Sequence, residues 1–201
     1  MKSSILRAGV ALACALGLAA CGGSSGDLPL YVTVSGITKD GLVLQNNGGD
    51  DLAITTAATQ FMFSKYMSTD DKFKITIKKD AAGNDILPSN IASCVITNGE
   101  ARANYYTYQR ALVECYVKPH GLTVTVTGLT ASGLVLVNGS DRKTVDAGAT
   151  NVKMNDVAED GQYGVTILQQ PTGQTCTVSN GTGTVGSTDV TGVSVNCAAS
   201  A

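Results

Sequence analysis

The sequence has no tryptophan, one histidine and few aromatic residues of any kind, and each shortage removes a class of function. A single imidazole confines any Ser-His-Asp or Cys-His arrangement to His120, which lies beside Pro119 and reads as a solvated linker residue. No HExxH or P-loop pattern occurs. Metal ligation needs closely spaced Cys and His, and beyond residue 21 there is no CxxC to accompany the lone His. Charge is sparse as well, with no basic patch and no Lys/Arg run, which argues against nucleic acid as a partner. No apolar run is long enough to span a bilayer as a helix: the longest, Ala8–Ala20, has thirteen residues where about 20 are needed. Adjacent acids occur only as Asp50-Asp51, Asp70-Asp71 and Glu159-Asp160, in segments that read as turns, where solvated carboxylates are expected. An enzyme is not expected, nor is a cofactor.

What is present begins with an export pattern. Lys2 and Arg7 precede the Ala8–Ala20 run, giving the charged-then-apolar order of a secretory signal. The run ends in Leu18-Ala19-Ala20-Cys21, which resembles the lipobox of bacterial lipoproteins. That resemblance implies removal of residues 1–20 and acylation of Cys21, so that the membrane partner is reached through an N-terminal lipid. Residues 22–29, GGSSGDLP, have the composition of a flexible tether. In Gram-negative lipoproteins a residue other than Asp after the cysteine permits sorting to the outer membrane, and Gly22 meets that condition. The expected location is the cell envelope, lipid-anchored, at the outer membrane.

An internal repeat organises the remainder. VSGITKDGLVLQN at 34–46 matches VTGLTASGLVLVN at 126–138, and Phe73-Lys74-Ile75-Thr76-Ile77 matches Tyr163-Gly164-Val165-Thr166-Ile167. Cys94 and Cys176 each precede a second cysteine, Cys115 or Cys197, by 21 positions. Equal spacing in two diverged copies indicates duplication. The first copy carries eight extra residues within 78–93. The expected boundaries are 30–117 for repeat 1, 118–121 for a Pro/Gly hinge and 122–198 for repeat 2. Short alternating apolar stretches, rich in Val and Thr and separated by Asn, Gly and Asp, predict strands and no helices. The expected fold is all-β: two tandem, small, Ig-like antiparallel β-sandwich domains.

Four cysteines remain once Cys21 is acylated, and four allow three pairings. Only Cys94–Cys115 with Cys176–Cys197 keeps each bond within a copy and gives both copies the same form. Asn46–Asp51 is rich in oxygen, but it lacks the EF-hand order, and the second copy places Arg142 and Lys143 near the equivalent turn, so calcium is not expected. Counting back by two from Cys115 predicts that Tyr106, Tyr108 and Tyr116 share the strand face opposite the cysteine. Such a stripe is a candidate surface for a glycan or an envelope protein partner.

The segments GLVLVN at 133–138 and QPTGQTCTVSNGTGTV…VTGVSVNC within 170–197 resemble a repeat unit of proteobacterial surface proteins and lipoproteins. That unit is a small, Ig-like, disulfide-closed β-module, used alone, in tandem or beside other domains. The resemblance covers nearly all of 121–197 and is weaker over 30–117. It implies no activity and carries no catalytic residues. The expectation is a non-enzymatic, lipid-anchored spacer or adhesion-type module, with glycan or peptide binding through the tyrosines as the alternative.

Overall fold

The computed structural model describes residues 27–200. The expected signal segment 1–20, Cys21 and residues 22–26 of the expected tether lie outside the described residues.

Every regular element among the described residues is a β-strand. The first unit holds β1 (Leu28–Ser35), β2 (Leu42–Asn46), β3 (Gly49–Ile54), β4 (Gln60–Met67), β5 (Lys72–Ile77), β6 (Ile91–Thr97), β7 (Glu100–Arg102) and β8 (Ala111–Val117). A two-residue strand, β9 (Pro119–His120), follows. The second unit holds β10 (Leu122–Thr127), β11 (Leu134–Asn138), β12 (Asp141–Val145), β13 (Asn151–Lys153), β14 (Val157–Ala158), β15 (Gln162–Gln169), β16 (Gln174–Ser179), β17 (Thr182–Thr184) and β18 (Val190–Ala199). The first unit's sheets have the orders β4-β1-β8-β6 and β3-β2-β5-β7, and the second unit's β13-β10-β18-β16 and β12-β11-β15-β17. Substituting each strand by its repeat counterpart converts one pair of orders into the other. The duplication therefore extends from sequence to topology.

Alternation explains why these stretches are strands. Leu30, Val32 and Val34 of β1 point into the core and are at most 1% exposed, whereas Tyr31, Thr33 and Ser35 face outward. Leu122, Val124 and Val126 repeat the pattern in β10. Phe63 and Phe73 fill the first core; the second is built from Leu, Val and Met154. Each such side chain contributes about 1.5–3 kcal/mol when fully buried.

One pairing in each unit departs from a purely antiparallel sheet. β1 runs parallel to β8, with Val32 opposite Ala111, and β10 runs parallel to β18, with Val124 opposite Val193. A two-residue period specifies the buried face and says nothing about a neighbour's direction. The parallel pair has a consequence for layout: the chain enters each unit at one pole and leaves at the other. Leu28 and Pro29, expected in the tether, already belong to β1, and the expected hinge contains β9, which pairs with β14.

The disulfides join residues directly opposite in register. Cys94 pairs with Cys115 between β6 and β8, and Cys176 with Cys197 between β16 and β18, with Cα atoms 4.0 and 3.9 Å apart. A glycine at the end of β1 and of β10 lets the chain turn away beside them. Gly36 (φ +79°) and Gly128 (φ +73°) are in the left-handed region, and a Cβ at either would overlap the carbonyl oxygen of Cys115 or Cys197.

Candidate functional site

The tyrosines expected to form one stripe occupy two places. Residues 104–110 are a turn rather than a continuation of β8, so the count by two fails beyond Ala111. The turn is fixed by local side-chain bonds: Asn104 Oδ1 accepts the Tyr106 N–H at 2.8 Å, and Thr107 Oγ1 accepts the Asn104 N–H at 3.0 Å. Tyr116 is exposed on the outer face of β8, separated from the turn by the ~17 Å that five strand residues span. Tyr106 and Tyr108 instead join two residues that the stripe omitted, Tyr31 and Tyr105. Ring centroids lie 6.3 Å apart for Tyr31–Tyr108, 6.2 Å for Tyr105–Tyr108 and 6.0 Å for Tyr105–Tyr106. Tyr105 and Tyr106 are 74% and 73% exposed. Met62, opposite Tyr31, and Tyr66, opposite Pro29, extend this surface across β4, and both are exposed. The signal available in the sequence was Asn104 followed three residues later by Thr107, a turn pattern within the supposed strand.

The opposite pole of the first unit meets the second unit in a polar, closed junction. β9 and β14 pair through His120–Val157 and Pro119–Ala158. The Lys118 N–H donates to the Asn90 carbonyl, and the Glu159 N–H donates to the Lys118 carbonyl, both at 2.8 Å. Asn90 is completely buried, and its Nδ2 donates to Thr38 Oγ1 at 2.6 Å and to Asp160 Oδ2 at 2.9 Å. Lys39 Nζ stands 2.8 Å from Asp160 Oδ2 and 3.9 Å from Glu159 Oε1. The Lys39 hydrogen bond, and after it that from Asn90, hold the Asp160 carboxyl below its ordinary range. Asn90 comes from the segment 78–93, which also contains the eight-residue insertion.

Two expectations about this region are corrected. His120 is not solvated. Its side chain is 14% exposed, with Nε2 at 3.3 Å from Glu159 Oε2 and Nδ1 at 3.8 Å from Asp189 Oδ1, because the β9–β14 pairing draws it inward. Glu159-Asp160 is likewise more than a solvated turn pair, since both carboxylates face the first unit and Glu159 is buried.

The Asn46–Asp51 loop spends its oxygens on the protein. Lys78 and Gln45 bind Asp51, the Lys78 hydrogen bond lowering its pKa most, and Ser64 Oγ and the Lys65 N–H bind Asp50. Among the described residues there is no group of three or more His, Cys, Asp or Glu side chains placed to hold a metal ion.

No family model and no curated protein matches this chain. Solved structures with partial similarity include two B repeat units of the collagen binding protein of Staphylococcus aureus, at 11% identity and a TM-score of 0.30, covering 85% of this chain and 49% of that one. The Bacillus anthracis TIE protein aligns at 14% identity and a TM-score of 0.36, over 84% of this chain and 33% of that one. A C-terminal fragment of the pilus adhesin SpaC from Lactobacillus rhamnosus GG aligns at 10% identity and a TM-score of 0.35, over 85% and 96%. The chain thus spans about half of the first of these structures and a third of the second.

Proposed function

We propose that this protein is a non-enzymatic, lipid-anchored spacer of the cell envelope, which carries its second unit away from the membrane on a stiff first unit. The observation that carries this reading is the junction. Lys39, Asn90, Lys118, Glu159 and Asp160 bind the far pole of one unit to the near pole of the next, and β9 pairs with β14 where a free hinge would allow swivelling. A ligand-binding module has no need of such a joint; a spacer depends on it. The lipobox pattern Leu18–Cys21 supplies the anchor, and envelope oxidation suits two structural disulfides. Outer-membrane residence follows from Gly22 under the same reading.

The test is palmitate labelling and fractionation of cells making the wild-type chain or Cys21→Ser. The expected result is label and membrane association for the wild type, and an unlabelled, soluble protein for the variant. Undiminished label in Cys21→Ser refutes the anchor.

A further inference from the structure

We propose that the tyrosine pole of the first unit is a membrane-docking surface, its occupant the headgroup layer of the bilayer that holds the Cys21 lipid. This rests on the anchor reading above and adds a contact to it.

Topology gives the first argument. β1 begins at Leu28 beside this pole, since the Tyr31 N–H donates to the Tyr108 carbonyl at 2.8 Å and Leu28 lies opposite Met67. The parallel strand β8 leaves for the second unit at the other end. The pole nearest the lipid is therefore the one bearing Tyr31, Tyr105, Tyr106 and Tyr108.

Reach gives the second. Six residues lie between Cys21 and Leu28, so that the seven steps from one to the other span at most about 25 Å of fully extended chain. A folded partner as long as β1, itself about 27 Å, does not fit beneath the pole. The bilayer surface is always within range.

The repeat supplies the third. In the second unit the equivalent pole is the one seated on the first unit: Asp160 there corresponds to Asp70, and Gly186-Ser187-Thr188-Asp189 to Asn104-Tyr105-Tyr106-Thr107. In the second unit that four-residue segment is small, polar and exposed, and Asp189 Oδ1 accepts the Gly121 N–H at 2.7 Å. The same four positions at the anchored pole carry two rings that are about three-quarters exposed. The same backbone positions thus carry exposed rings at the pole of the first unit and small polar groups at the matching pole of the second.

Tyrosine suits headgroups because its ring is apolar and its hydroxyl is wet, which is why it gathers at membrane interfaces. Charge is not the driving term: Asp27, Asp70 and Asp71 stand near this pole with Lys72, Arg102 and Arg110. Docking should therefore resist salt.

The natural absence of tryptophan makes a direct test available. Mature acylated protein carrying Tyr106→Trp is placed in phosphatidylethanolamine–phosphatidylglycerol vesicles containing a lipid brominated near the headgroup. The expected result is loss of about half the emission, since interfacial rings reach ~5–10 Å into the boundary. The same loss is expected for Tyr105→Trp and in high salt, and none for Tyr116→Trp. Equal quenching at Tyr106→Trp and Tyr116→Trp, or quenching at neither, overturns the proposal. Mass analysis of the N-terminal peptide separates the two readings: an unquenched reporter on acylated protein overturns the docking surface alone, and an unacylated Cys21 overturns the anchor and the docking together.

Discussion

Alanine in place of glycine at two positions of the second unit separates backbone conformation from close packing. Gly173 and Gly128 have nearly the same φ, +69° and +73°. At both, a side chain in the left-handed region costs about 1–2 kcal/mol, offset by about 0.4–1 kcal/mol because alanine lowers the entropy of the unfolded chain. Around Gly173 a new Cβ meets nothing within 4 Å, so Gly173→Ala should cost about 0–1.6 kcal/mol. At Gly128 the Cβ overlaps the Cys197 carbonyl oxygen. That oxygen belongs to β18, which is paired to β10 on one side and β16 on the other and is tied by Cys176–Cys197, so it has no room to retreat. Forced displacement of packed structure adds about 1–3 kcal/mol, which brings Gly128→Ala to a loss of about 1–4.6 kcal/mol. For a domain of this size the fall in Tm is about 4–8 °C per kcal/mol. Urea titration of the full chain measures both variants, with an unchanged m-value required for the comparison. Gly36→Ala should repeat the large effect in the first unit. Equal losses at Gly128 and Gly173 would refute the packing argument, leaving conformation as the whole cost.

Removing one disulfide should weaken its own unit. For Cys176→Ala with Cys197→Ala, a separation of 21 residues gives about 3.3 kcal/mol in the chain-entropy model. Urea unfolding followed by the Tyr163 signal of the second unit checks it, and a loss below about 1 kcal/mol would deny the bond its stapling role. Acid should loosen the junction. Asp160 has its folded pKa lowered, so its contribution is complete above the ordinary value of 3.8 and is lost as pH falls through the folded value. Backbone NMR relaxation should show the units tumbling together at pH 6 and separately once Asp160 is protonated; Asp160→Asn should separate them more at pH 6 than Asp40→Asn, and joint tumbling in Asp160→Asn would count against the clamp.

Much of this fold was legible because its signals are local. Val32 and Val34, or Phe73 and Ile75, alternate with polar residues whatever lies beside them, and the two 21-residue cysteine spacings report the duplication directly. The parallel β1–β8 and β10–β18 pairings were not legible, since no local pattern encodes a distant neighbour's direction. Tyr106 and Tyr108 were placed on a strand face because alternation was extended across Asn104–Arg110, where side-chain bonds to the backbone win over pairing. His120 and Asn90 were opaque for another reason. Each takes its role from contacts with a residue some 40 to 70 positions away, Glu159 for one and Asp160 for the other.

The two copies keep one strand order and diverge at their poles. Lys39 projects from the first unit toward Glu159 and Asp160; its counterpart in the second unit is Ala131. Around Ala131 the pole is closed on itself, because Gln174 Oε1 accepts the N–H groups of Thr130 and Ala131 at 2.8 and 2.9 Å and its Nε2 donates to the Gly128 carbonyl. Asn90 lies just beyond the eight-residue insertion that the second copy lacks, and the exposed tyrosines occupy positions where the second copy is small and polar. Had the chain been selected for a ligand site, change would be expected on one sheet face or one loop cluster in a single copy. Change at the ends of both copies is what selection on end-to-end contacts produces, and it makes the joint and the tyrosine pole the two places where substitutions should alter function without unfolding the protein.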